Sequence, residues 1–176
     1  MGSTASRPVF RRSVVAVAFG AALTATSGCS VPVDAVTGIS VSADGRLLGV
    51  MMVCGHRIDG ATLSVADGDT GRQVTAGSWT ADRPLAPGLA TWPLESPADG
   101  WTANSSPVPL TTGTAYTLHG WTKDNSWSAS SVTFTLADRD LLTPGTVRYT
   151  GTSDTGEEST TTVPLARFEA EACRNA

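Results

Sequence analysis

Few side chains in this sequence could move a proton or hold a metal. There are two histidines and three cysteines. His56 follows Cys54 by two positions and precedes Asp59 by three. A metal centre needs three or four converging ligands, and this trio supplies a sulfur only if Cys54 is free. His119 falls at an outward position of a strand pattern. Both histidines read as ordinary loop and surface residues, so the sequence predicts no metal and no cofactor. Asp67-Gly68-Asp69-Thr70-Gly71 begins like a calcium loop but lacks the third oxygen ligand in step and the closing glutamate. Asp138 and Asp140 are near-neighbours, yet a glycosidase pair needs a cleft and a set separation. No Gly-x-Ser-x-Gly stretch supports an α/β-hydrolase. The expectation is a protein without catalytic residues; a hydrolase with an unrecognised acidic site and a purely structural envelope protein are the alternatives.

Aromatic residues are the sharper possibility. Trp79, Trp92, Trp101, Trp121 and Trp127 are many for a chain of this size. An exposed indole is a flat apolar platform for a sugar ring or a partner surface. Trp121 and Trp127 bracket a polar tip, Thr122 to Ser126. With His119, Lys123, Asp124 and Asn125 they form the predicted binding set, aimed at a protein or glycan. The competing reading places most of the tryptophans in the core.

The first 28 residues carry a different signal. Arg7, Arg11 and Arg12 precede an apolar run of eleven residues, Ser13 to Leu23, followed by small residues up to Cys29. A spanning helix needs about 20 apolar residues; a basic flank, a short apolar core and a small-residue exit describe a secretory signal peptide. Thr26-Ser27-Gly28-Cys29 resembles the lipobox of bacterial lipoproteins, with Thr26 standing where that pattern prefers leucine. The resemblance implies cleavage before Cys29, a diacylglyceryl group on its sulfur with palmitate-type chains, and a place on the extracytoplasmic face of the cell membrane. Two acyl chains anchor firmly, since each buried methylene contributes ~0.8 kcal/mol. Phe10 to Val15 (FRRSVV) also resembles a twin-arginine export signal; an ordinary basic flank is the alternative.

Assigning Cys29 to lipid leaves Cys54 and Cys173. Disulfides persist outside the cytoplasm, so a single Cys54–Cys173 bridge is predicted, with two free buried thiols as the alternative. The chain from Cys29 onward has 148 residues, enough for one domain with a proper core. Three of the 12 basic residues lie before it and all 16 acids within it, which leaves a net charge of −7. That balance argues against nucleic acid as a partner.

The pattern after the signal has period two, with Gly, Asp and Pro at the breaks. Residues 29–36 read as a flexible tether and 37–176 as the folded domain. Strands are expected at Gly38 to Ser42, Leu47 to Cys54, Ala61 to Ala66, Leu89 to Leu94 and Thr146 to Thr150, with an edge strand at Arg72 to Trp79. Leu47 to Cys54 is apolar on both alternations and should be covered on both faces. The rest of Asp82 to Ser106, with four prolines, and Gly151 to Thr162, acidic and rich in Ser and Thr, read as loops. A hairpin pairing Trp121 with Trp127 and Tyr116 with Val132 would put Tyr116, Leu118, Val132 and Phe134 on the core face. One helical turn at Asp138 to Leu142 and a short helix at Pro164 to Cys173 complete the reading.

Leu110 to Leu118 resembles the tyrosine corner of immunoglobulin-like and fibronectin type III sandwiches, with Tyr116 as the tyrosine. It implies an all-β, immunoglobulin-like antiparallel sandwich with a short C-terminal extension. The body also resembles uncharacterised actinobacterial lipoproteins with a Gly-Trp-Thr-x-Asp-Asn-Ser-Trp-like stretch, here Gly120 to Trp127; that resemblance implies no activity.

Overall fold

A computed structural model describes Gly2 and residues 30–68, 70–96, 99–105, 109–153 and 155–174. Apart from Gly2, the predicted signal lies outside the described residues, as does Cys29. The fold is all-β with a short helical end. Its first hairpin joins β1 (Val33–Val41) to β2 (Leu47–Val53) through a turn in which Gly45 takes a φ of +79°, a conformation open to glycine at little cost. β3 (Ile58–Ala66) and β4 (Gln73–Leu85) form the next hairpin. β5 (Gly88–Pro93) turns back to pair with β2, and β6 (Trp101–Ser105) pairs with β4. β7 (Tyr116–Trp121) lies against β3 and meets β8 (Ser128–Ser130) and β9 (Val132–Phe134) on its other edge. A five-residue helix α1 (Leu136–Asp140) leads to the hairpin of β10 (Thr146–Thr152) and β11 (Glu158–Pro164). The chain ends in α2 (Leu165–Glu171) and a 3₁₀ turn at Ala172–Arg174.

All the strands belong to one curled sheet. One wing runs β5–β2–β1–β10–β11; the other runs β6–β4–β3–β7 with β9. β8 links them, antiparallel to β7 and parallel to β1, so one parallel pair interrupts the expected antiparallel pattern. The main core draws on both wings, with Ile39, Met51, Trp79, Trp92, Leu118 and Phe134 among its buried members. A second core forms where α2 covers the outer face of the first wing, from Val36, Val50, Val147, Val163, Phe168 and Ala172. β2 is therefore covered on both faces as its sequence implied: Leu47, Met51 and Val53 point into the main core, and Val50 and Met52 into the second.

The tail forms the expected short helix, and Leu165, Phe168 and Ala172 all lie on the second core. Pro164 is the residue before the helix rather than its first member. Cys54 and Cys173 form the expected disulfide, which joins the end of β2 to the final 3₁₀ turn across a sequence separation of 119. The Tyr116 hydroxyl accepts from the Thr111 backbone N–H at 2.9 Å, the bond of a tyrosine corner. Thr135 and Asp138 cap α1 reciprocally.

Several expectations need correction. Residues 33–36, expected within the tether, are strand; Ala35 and Val36 are buried and the segment pairs with both β2 and β8. β4 is not an edge, because β6 covers it, and it runs on to Leu85 through Pro84. The β3–β4 ladder skips between Gly60↔Thr80 and Ile58↔Leu85, so the proline falls where no rung is required. Most of 151–162 belongs to the β10–β11 hairpin, whose threonines suit a pleated strand. In the β7 hairpin the observed pairs are Trp121↔Ser128, Leu118↔Val132 and Tyr116↔Phe134. One extra residue between Ser128 and Val132 shifts the register near the tip. The slip is two residues by Tyr116, which preserves the faces: Tyr116, Leu118, Val132 and Phe134 are all buried.

Candidate functional site

Three segments meet at one end of the sheet: the start of β1, the connection 54–57 and the loop 122–127. Asp34, mostly buried near the start of β1, turns its carboxylate toward the 54–57 connection. It accepts from the backbone N–H groups of Gly55, at 3.1 Å, and His56. The same oxygen lies 2.5 Å from His56 Nδ1. The imidazole stacks on the Trp127 indole, with ring centroids 3.6 Å apart and planes 14° apart. His56 is thus held between a carboxylate and an aromatic face, and its side chain remains half exposed.

The loop beside it is fixed by side chains placed in its own turn. Thr122 donates to and receives from Trp127: its hydroxyl gives to the Trp127 carbonyl and accepts the Trp127 N–H, both at 3.0 Å. Asn125 takes a φ of +56°, a region in which asparagine is enriched. Asp124 accepts from the Ser126 hydroxyl at 2.6 Å and the Ser126 N–H at 3.2 Å, and Arg57 donates to it at 2.9 Å. The Ser126 hydroxyl, then its N–H, then the Thr122 hydroxyl, then the Arg57 charge lower the Asp124 carboxyl to about 2. Asp59 is buried and accepts the Lys123 N–H at 2.8 Å, with Arg57 Nε 3.7 Å away. One arginine therefore bridges a buried and an exposed carboxylate, and both fasten the tip to the start of β3.

The structure divides the predicted binding set. Lys123, Asp124 and Asn125 are exposed at the tip, and Trp127 is half buried beside them, packed against the main core. His119 and Trp121 belong instead to the sheet face that they share with Thr62. His119 is paired with Thr62 in register and partly buried, which lowers its pKa. Trp121 lies over Gly60 and donates its indole N–H to the Thr62 hydroxyl at 2.9 Å. Of the other tryptophans, Trp79 and Trp92 are buried, and Trp101 stacks on Trp92 at 4.4 Å. Asp34 and Arg57 went unnoticed in the sequence. Asp34 meets His56, 22 positions away, and Arg57 reaches Asp124, 67 positions away, and no local pattern marks either contact.

Chemically, the end offers a paired histidine, a half-exposed indole and a charged tip. No group of three or more His, Cys, Asp or Glu side chains among the described residues is arranged to hold a metal. The Asp67–Gly71 segment is a hairpin turn in which Thr70 donates to Asp67 at 2.8 Å; Asp69 lies outside the described residues. A separate groove opens between β8–β9 and β10–β11, with a volume of about 470 Å³. No protein-family model, no curated protein and no solved structure matches this chain.

Proposed function

We propose that this protein is a lipid-anchored, extracytoplasmic binding module without catalytic activity, and that it recognises a protein partner through the end formed by 54–59 and 122–127. The observation that supports this reading is the Asp59–Arg57–Asp124 bridge with the Lys123 N–H on Asp59. It fixes the tip before any partner arrives, which reduces the ordering cost of association. Trp127 stands beside the bridge and Arg57 is part of it, and both residue types dominate contact energies at protein interfaces. A lipid on Cys29 would leave only 30–32 before β1. At about 3.5 Å per residue the anchor would then lie within roughly 14 Å of β1. Pro32 accepts from the Ser128 N–H, which holds this start beside the tip. The partner would accordingly be a protein at the membrane surface.

Two measurements test the reading. Labelled palmitate should appear on the purified protein and vanish in Cys29→Ser; unlabelled wild-type protein refutes the anchor. A photo-crosslinker at Asn125 should capture one membrane protein on intact cells, and Arg57→Ala with Trp127→Ala should abolish the adduct. Equal capture from Gln73, on a different turn, would refute the site.

A second reading rests on the 2.5 Å approach of Asp34 to His56, the orientation a carboxylate gives to a general base. Turnover of an ester or glycoside substrate that is lost in both His56→Ala and Asp34→Asn would favour hydrolysis over binding.

A further inference from the structure

The groove between the two hairpins follows from how β1 shares one of its edges. Along that edge β1 pairs first with β8, at Val33 to Val36, and then with β10, at Gly38 and Ile39. The two strands leave from adjacent positions and diverge. The ladder of β10 with β1 stops at Tyr149, while β10 itself continues to Thr152. A cleft opens where the sheet would otherwise close.

Its lining is specific. Hydroxyls come from both sides: Ser130, Ser131 and Thr133 from one, Thr150 and Thr160 from the other. Val33 and Ala129 add apolar surface between them. The groove continues past Ser130, Thr150 and Glu158 into a lobe of about 200 Å³ beside Tyr149 and Ala172. Ser130 Oγ is buried with no hydrogen-bond partner among the described residues, an unfavourable state for a hydroxyl. Glu158 lies at the junction of the two lobes and has no cationic partner among the described residues. Glu171, at the far end, is already paired with Arg167 at 2.8 Å. No lysine or arginine lines either lobe, so an anion would meet only carboxylate and hydroxyl oxygens.

A ligand for this groove must donate hydrogen bonds to a carboxylate, exchange them with hydroxyls, carry no negative charge and rest C–H surface on short apolar side chains. Sugar rings meet all four conditions. We propose that the groove binds a short neutral oligosaccharide, with Glu158 accepting from two adjacent sugar hydroxyls and the buried Ser130 Oγ rotating about its Cα–Cβ bond to gain its missing partner. This site is distinct from the loop end and does not rest on the protein-binding reading.

The test is saturation-transfer NMR and calorimetry on the purified full-length protein with cellobiose, maltose and N,N′-diacetylchitobiose, and with glucosamine and glucuronic acid as cationic and anionic controls. At least one neutral disaccharide should bind. Its affinity should fall at least tenfold in Glu158→Gln and in Ser130→Val, and stay unchanged in Trp127→Ala. Glu158 is exposed, so Glu158→Gln should keep the wild-type melting curve and isolates the site even if Ser130→Val disturbs folding. Absence of binding by all three neutral sugars overturns the proposal. So does binding indifferent to Glu158→Gln, or binding by glucosamine alone. Loss confined to Trp127→Ala would move the sugar to the loop end and equally overturn it.

Discussion

Gly60 lies beneath Trp121 so closely that a Cβ on the glycine would sit 2.5 Å from the indole Cζ2 and 2.5 Å from the Trp79 carbonyl oxygen. The carbonyl belongs to the neighbouring strand and cannot move aside alone. Gly60→Ala should therefore destabilise the fold by about 1–3 kcal/mol, the usual cost of overpacking, as read by urea denaturation. Trp121→Ala should also lower stability. A Trp121→Ala variant with an unchanged denaturation midpoint would mean that the indole is not part of the packing.

The Cys54–Cys173 bridge joins residues 119 positions apart. In the chain-entropy model such a bridge stabilises by about 4–5 kcal/mol. Cys173→Ser, or reductant, should lower the melting temperature, and hydrogen exchange should rise first in α2 and the last turn. Identical melting with and without reductant would refute this.

Phe168 is wholly buried and stands edge-on to Tyr149, with ring centroids 4.9 Å apart. Phe168→Ala should cost about 3–5 kcal/mol. The loss should be local in exchange experiments, concentrated on α2, β10 and β11, because the main core takes no residue from the helix.

Two groups set successive steps on the acid side of a pH profile. Asp124 is lowered from its ordinary 3.8 to about 2, first by the Ser126 hydroxyl. Folding favours its charged form, so its contribution is complete above 3.8 and is lost as the pH falls through about 2. Carbon NMR should find its midpoint near 2, and Ser126→Ala should move that midpoint toward 3.8. His119 is lowered from 6.5 by burial. Folding favours its neutral form, so stability is full above 6.5 and declines as the pH falls below it. A proton NMR midpoint for His119 at or above 6.5 would contradict the burial.

What the sequence disclosed depended on how far apart the deciding residues lie. β2 was readable because its own seven residues carry apolar side chains on both faces, and the structure puts a core on each. Cys54 and Cys173 were readable by count. The second half of β1 was readable too, but its first was not, since residues 33–36 become strand only through partners near 52 and 129. Pro84 concealed the end of β4 because a skipped rung, not composition, accommodates it. At the loop end, Lys123, Asp124, Asn125 and Trp127 were visible as a polar tip with an aromatic flank. Asp34 and Arg57, which hold that tip and His56 in place, were not. Single charged residues become legible only when the fold sets their carboxylate or guanidinium opposite a partner.

The placement of β1 also has a kinetic side. Its far edge is completed only by Ser128–Ser130 and by Arg148 and Tyr149, more than ninety positions downstream. A chain made from its N-terminus therefore carries this strand with one edge open for most of its synthesis, and contacts of such long sequence separation form slowly. The Cys54 thiol waits as well, since its partner arrives 119 positions later. Until residue 149 is made the half-built sheet presents an open strand edge, and the Cys54 thiol waits about 24 positions longer for its partner, so the newborn chain is exposed to mispairing through most of its synthesis.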